Sequence, residues 1–343
     1  MNLKKLIYTT LTVCIFSACG KKQAVSPINN TTNPAVDVYV TGGIVASTGF
    51  SEATYWKNGI AVKLVTDSSS NSGATSIAVS GNNICVAGYA TINGTETQVY
   101  WKNGIMTQLP DAEMQLLTHN IAINGDDVYV VGSTYQNQTF YAAYWKNGVV
   151  NILPSTGSSS TAQAIFINGS DIYIAGTAII NVIDYATYWK NGVATVFPQV
   201  EAQATDITVS GNDVYIADNG VAYWKNGVFT QLAFGNNITG AITNGIAVSG
   251  NTVYLSGFVT GNNENIATYW KNDITTNASS QVSLSNTSVS ASNYTSIAIN
   301  GSDLYIAGLI SNNNNCYWKN GTLIPLTEKT NSGFVYGLAI IPR

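Results

Sequence analysis

The chain has 343 residues, only 9% of them charged, and a formal net charge of -4. Its basic residues are thirteen lysines and Arg343, and seven of those lysines sit one to each copy of a repeated pentapeptide, so no basic stripe is left to track a phosphate backbone. Nucleic acid is excluded as a partner on that ground, and a single histidine, His119, excludes a metal centre or proton relay built on several imidazoles.

Residues 1–19 read as an export signal. Lys4 and Lys5 precede a mostly apolar stretch over residues 6–16, too short to span a bilayer, and Phe16-Ser17-Ala18-Cys19 follows. This segment resembles the lipobox of bacterial lipoproteins, with Phe16 where Leu is usual. The resemblance implies cleavage before Cys19, which becomes the first mature residue, and acylation of its sulfur. An ordinary signal peptide cut near the same place is the other reading, and both carry the protein out of the cytoplasm. Residues 20–35 are polar and rich in Asn, Thr and Lys, with too little apolar surface to fold, and read as a disordered tether. Gly20 stands where inner-membrane lipoproteins resemble one another in carrying Asp, which implies a lipid-anchored place at the outer membrane or cell surface. Cys14 leaves with the signal. Cys85 and Cys316 fall in the second and seventh repeats, and are expected to be buried, unbonded and apolar in role.

From residue 36 the chain is periodic. Tyr55-Trp56-Lys57-Asn58-Gly59 recurs at residues 100–104, 144–148, 188–192, 223–227, 269–273 and 317–321, with Asp273 in place of one glycine. The period is about 44 residues, the length of a propeller blade. The third period shows the unit. A short alternating strand over residues 120–124 turns at Gly125-Asp126 into a second strand over 127–132. A polar loop over 133–139 then leads to a third strand over 141–146, and Asn147-Gly148 turns into a fourth over 149–153. Seven such periods predict an all-β, seven-bladed β-propeller of four-stranded antiparallel blades over residues 36–343.

The first period lacks its opening strand, since residues 36–42 match the second-strand pattern, whereas residues 337–341 match the opening pattern. The C-terminal strand is therefore expected to join the N-terminal blade and close the ring, leaving no open edge at the seam. A linear solenoid, the other architecture with such repeats, would need caps at both ends. Two connections per period are short and repeated and two vary, which predicts one uniform face and one variable face, the latter suited to binding.

Every tryptophan lies in the pentapeptide: Trp56, Trp101, Trp145, Trp189, Trp224, Trp270 and Trp318. An aromatic pair written identically in every period suits packing between blades better than seven ligand sites. The repeat lysines are expected to hold their ammonium groups in water over an apolar stem. Two residues before the apolar start of each opening strand stand Thr75, His119, Gln163, Thr205, Asn244, Thr295 and Tyr336, with Asp206 beside the fourth. These are expected to ring the mouth of the central channel on the variable face, where neutral hydrogen-bonding groups suit a sugar or a peptide better than a phosphate. Tyr89, Tyr135, Phe140 and Phe258 would add stacking surfaces nearby.

No phosphate loop, nucleophile elbow or metal knuckle is present, so no catalytic residue, cofactor or metal is assigned. The Asp residues of the short turns are read as turn formers rather than calcium ligands. The tandem Tyr-Trp-Lys-Asn-Gly and Asp-Val-Tyr-Val-Ala-Gly periods resemble those of bacterial β-propeller lipoproteins and, more distantly, kelch and HAF-type extracellular repeats. That resemblance covers residues 36–343, implies the fold, and carries no catalytic or ligand residue with it. The expected function is a monomeric, envelope-anchored scaffold that binds an envelope protein or glycan on its variable face and meets the membrane only through its lipid. A propeller hydrolase or lyase at the channel mouth and a purely structural envelope component are the alternatives.

Overall fold

The computed structural model describes residues 35–64, 70–112, 120–155, 157–233, 235, 238–261, 264–284, 295–310, 314–326 and 333–343. Its frame is set by turns. Each Asn-Gly pair of the pentapeptide has positive φ at both residues, 51° and 82° at Asn58 and Gly59 and 52° and 83° at Asn147 and Gly148. This is the type I′ geometry, whose twist matches that of the strands it joins. The pairs that begin with glycine form a different turn. Only the glycine is positive there, as at Gly125 (61°) and Gly211 (60°), which is the type II′ pattern.

Blade three runs from an innermost strand, Asn120–Asn124, through Asp127–Gln136 and Thr139–Lys146 to an outermost strand, Val149–Ile152. Seven four-stranded antiparallel sheets of this kind make a seven-bladed β-propeller. In blade one the innermost strand is Gly333–Pro342, which pairs with Val36–Val45 through nine register pairs, from Val36 opposite Pro342 to Ile44 opposite Gly333. The Arg343 amide then donates to the Ala35 carbonyl at 2.8 Å. The innermost strands of successive blades touch one another around the whole circle, the closing strand lying between those of blade two (Ser72–Ser80) and blade seven (Ser296–Asn300).

The apolar core lies between blades. All seven indoles are at most 1% exposed. Trp145 sits among Cys85, Ala87, Tyr100 and Leu109 of blade two and Ile121, Val128 and Val130 of its own blade. Its indole N–H donates to the Pro110 carbonyl at 2.8 Å, and Trp189 repeats the contact with Pro154 at 2.9 Å. Each of these bonds reaches into the crossover that leaves the preceding blade, so the side chain that fills the gap also ties the connection down. Cys85 and Cys316 are free and buried, and burial pushes their thiols up to about 11 and about 12.

The second and third strands run further than their sequence suggests. Residues 133–136 continue the second strand of blade three, and a two-residue turn at Asn137 and Gln138 replaces the polar loop. Asn93-Gly94 and Asn181-Val182 make equivalent turns in blades two and four. One face of the disk is thus a crown of hairpin tips, and the other carries the Asn-Gly turns of the pentapeptides and is called the Asn-Gly face.

Candidate functional site

The aligned ring residues prove to share a backbone feature. In blades two, four, five and six the register of the innermost strand slips by one at Thr75, Gln163, Thr205 and Asn244, and in blade one it slips at Tyr336. Each of these residues is the unpaired member of a β-bulge, a device that bends the strand and re-aims a side chain. Thr295 immediately precedes the innermost strand of blade seven. His119, the corresponding residue of blade three, lies outside the described residues.

In blades one, two, four and six the bulge explains the glycine that ends the Asp-Val-Tyr-Val-Ala-Gly period. A Cβ on Gly176 would lie 2.0 Å from the Thr161 carbonyl oxygen, and one on Gly88 would lie 2.0 Å from that of Gly73. The bulged strand presses its backbone against this position, and only a hydrogen fits. Blade five has Asp218 instead. Its innermost strand begins later, at Ala204, and the Asp218 carboxylate accepts the N–H groups of Gln203 and Gly220, both at 3.0 Å.

Polar groups without partners gather at this level. Thr75 and Thr295 are 7% and 6% exposed, and neither hydroxyl has a protein partner. The Asn244 side-chain oxygen is orphaned as well. On the second strands, Thr41 stands opposite Gly337 and Ser256 opposite Gly245, both beside a bulge, and both hydroxyls are buried without a partner. Ser133, Thr134 and Thr177 repeat the condition two or three residues nearer the hairpin tips. Thr205 differs, its hydroxyl donating to the Ala217 carbonyl at 3.5 Å. Gln163 and Tyr336 are half-buried, and the Tyr336 ring lies 5.2 Å from that of Phe334.

Asp206 follows the blade-five bulge. One oxygen accepts the N–H of Ile207 at 2.8 Å and the other that of Ile246, in blade six, at 2.9 Å. Ser76 accepts the N–H of Ile121 at the corresponding place between blades two and three, at 3.3 Å. The residue after the bulge therefore ties its blade to the next. Desolvation raises the Asp206 carboxyl to about 7, against the smaller opposing effect of its two backbone donors. A raised folded-state pKa means that the folded protein holds the proton more tightly than the unfolded chain. Asp206 should therefore lower stability progressively as pH rises from about 4 to about 7, by at most about 4 kcal/mol. Chemical denaturation at pH 5 and pH 8 is expected to show this loss in the wild type and a flatter dependence in Asp206→Asn. An identical slope in the two proteins would mean that Asp206 titrates normally.

Of the aromatic residues near the mouth, the exposed Tyr135 and the half-buried Phe140 pair on the blade-three hairpin, with ring centroids 4.9 Å apart. Phe258 is buried, and Tyr89 covers the backbone of Gly73. At the blade-four tip Val182 is 94% exposed with φ of 63°, a costly conformation for a β-branched residue.

Five of the repeat lysines keep to the surface, as expected, and are also paired there. Lys146 pairs with Asp127 at 2.7 Å and lies 5.3 Å over the Tyr129 ring, and Asn147 donates to the same carboxylate at 2.7 Å while accepting the Val128 N–H. Blades one, four, five and seven repeat this clasp with Asp37, Asp171, Asp213 and Asp303. In blade one Asn58, Arg343 and Lys57 together hold the Asp37 carboxyl down to about 2. Blade two has Asn83 and Cys85 in place of Asp and Tyr, and there Lys102 reaches the Asp126 carbonyl of blade three at 2.8 Å. The signal was present in the sequence as the co-occurrence of Asp-x-Tyr with Lys-Asn-Gly 12 to 20 residues on, which antiparallel pairing makes adjacent. The clasps are all on the Asn-Gly face, away from the bulges. Among the described residues no group of three or more His, Cys, Asp or Glu side chains is placed to hold a metal ion.

No family model matches the chain, and no curated protein matches it either. Similar solved structures include the periplasmic gluconolactonase of Pseudomonas aeruginosa, at 9% identity and a TM-score of 0.57 over 90% of this chain and 99% of that one. TolB of Acinetobacter baumannii is similar at 12% identity and a TM-score of 0.50, over 91% of this chain and 68% of that one. At such identities the likeness is one of fold.

Proposed function

We propose that this protein is an envelope-anchored binding module that holds a neutral, hydroxyl- or amide-bearing ligand, a glycan or a segment of an envelope protein, at the bulge-lined mouth of its channel. The observation that carries this reading is the set of buried hydroxyls, joined by the Asn244 side-chain oxygen, without partners around the bulges of the two inner strands. An unmet buried polar group costs roughly 1 to 3 kcal/mol, a cost that a ligand or bound water presenting hydrogen bonds would offset. The clasped lysines are at the other face, away from the mouth. In this reading Cys19 carries the lipid, residues 20–35 act as a leash, and the propeller works at the outer membrane or cell surface.

The test uses substitutions whose effects on stability and binding have opposite signs. Thr75→Val and Thr295→Val keep side-chain shape and remove the orphan hydroxyl. Together they are expected to leave the fold as stable or up to about 2 kcal/mol more stable, and to weaken binding of a glycan or envelope protein found by array or pull-down at least about tenfold. Loss of stability would show that the hydroxyls are bonded within the fold, and unchanged affinity would move the ligand elsewhere. A second reading, an enzyme at the same mouth, rests on Asp206, a carboxyl that titrates near neutrality, and on the gluconolactonase as an enzyme of this fold.

A further inference from the structure

On the Asn-Gly face the first residue of the outermost strand is Ile60, Ile105, Val149, Val193 and Val228 in blades one to five, and each is 66–75% exposed. Each lies directly opposite the repeat lysine of its own blade. In blades one, three, four and five the following residue, Ala61, Val150, Ala194 or Phe229, is half-buried, so alternation turns the first one outward; in blade two Met106 is 42% exposed as well. A polar residue is the ordinary occupant of such a place, and blade seven has Thr322 there. Single exposed apolar side chains are unremarkable. Five at one repeated position on one face are not a scatter, and packing within the fold does not explain them.

The polypeptide enters the propeller on this same face, because Ala35 and Asp37 lie beside Arg343 and the Asn58-Gly59 turn. Between Cys19 and Ala35 the chain can reach on the order of 55 Å when extended, so a leash alone would not orient the disk. The charges on the face are largely spent on one another, the lysines of blades one, three, four, five and seven standing 2.7–3.2 Å from Asp carboxylates.

We propose that the Asn-Gly face rests on the headgroup layer of the anchoring membrane, with this arc of Ile and Val side chains dipping into it and the hairpin crown turned away. The proposal rests on the anchoring reading above. The partner is a lipid surface, and because the lysines are paired its hold depends on apolar insertion and little on lipid charge.

The experiment uses the full acylated chain on vesicles of phosphatidylethanolamine and phosphatidylglycerol, with an environment-sensitive fluorophore on Val149→Cys or, for comparison, Val182→Cys. Cys85 and Cys316 are buried and would not react. The expected result is blue-shifted emission at 149 that headgroup nitroxides quench, unshifted and unquenched emission at 182, and the same contrast when phosphatidylcholine replaces the anionic lipid. Adding Ile105→Asp and Val193→Asp should abolish the shift at 149 without unfolding the protein, since both side chains point into solvent. Equal emission at the two positions, or quenching at 182 alone, overturns the seat. The mass of Cys19 decides the anchor separately. If no acyl group is found, the anchoring reading fails, and sedimentation of the chain with the same vesicles then decides the seat: loss on Ile105→Asp supports it and absence of sedimentation overturns it.

Discussion

Removal of residues 336–343 is expected to abolish cooperative unfolding of the propeller. Those residues carry six of the nine register pairs with Val36–Val45 and the contact that spans blades seven and two. Without them the second strand of blade one becomes an open edge in the middle of the disk, and such an edge is a template for pairing with another chain. Calorimetry and size-exclusion chromatography would read the result as a lost or broadened transition with association. A truncated chain that stays monomeric and melts with unchanged midpoint and enthalpy would show that the ring holds without its seam. Arg343→Ala is the control: it keeps the strand and removes an exposed ion pair with Asp37, which should cost only about 0 to 1 kcal/mol.

The second large effect is expected at Trp145→Ala, a loss of roughly 3 to 5 kcal/mol by chemical denaturation. The indole is fully buried between blades two and three, and its loss leaves a cavity lined by residues of both. Neighbouring strands cannot collapse into it, because each blade is fixed by its own ladder and by ties such as Ser76 to Ile121. Trp224 should behave alike, since its ring stacks on Phe197 of blade four at 4.9 Å. A loss below about 1 kcal/mol would mean that the gap between blades closes freely.

Much of the fold was legible because turn chemistry and period agree. Asn147-Gly148 can only be a hairpin in that context, and the closing strand could be matched by its pattern alone. The hairpin extensions were not legible. At residues 133–136 the strand rises out of the disk, so the alternation of apolar and polar residues fades and polar composition suggests a loop. The ring of Thr75, Gln163, Thr205, Asn244 and Tyr336 could be aligned from its offset to the strand start, but that these are bulged residues is a property of register, which needs both strands. The glycine at 176 was the readable trace of it, a strand residue without a side chain where a neighbouring backbone comes too near. The Lys146 to Asp127 clasp escaped because each partner had a sufficient local explanation, a turn for one and solvation for the other.

The position of Val36–Val45 has a mechanical consequence. This strand is bonded on both sides, to Gly333–Pro342 by nine pairs and to Ser51–Lys57 by seven. Tension on the segment that precedes Ala35 therefore runs along the strand and loads both ladders in shear, so that many bonds must yield together instead of peeling one after another. A domain pulled from that point would give way late and abruptly.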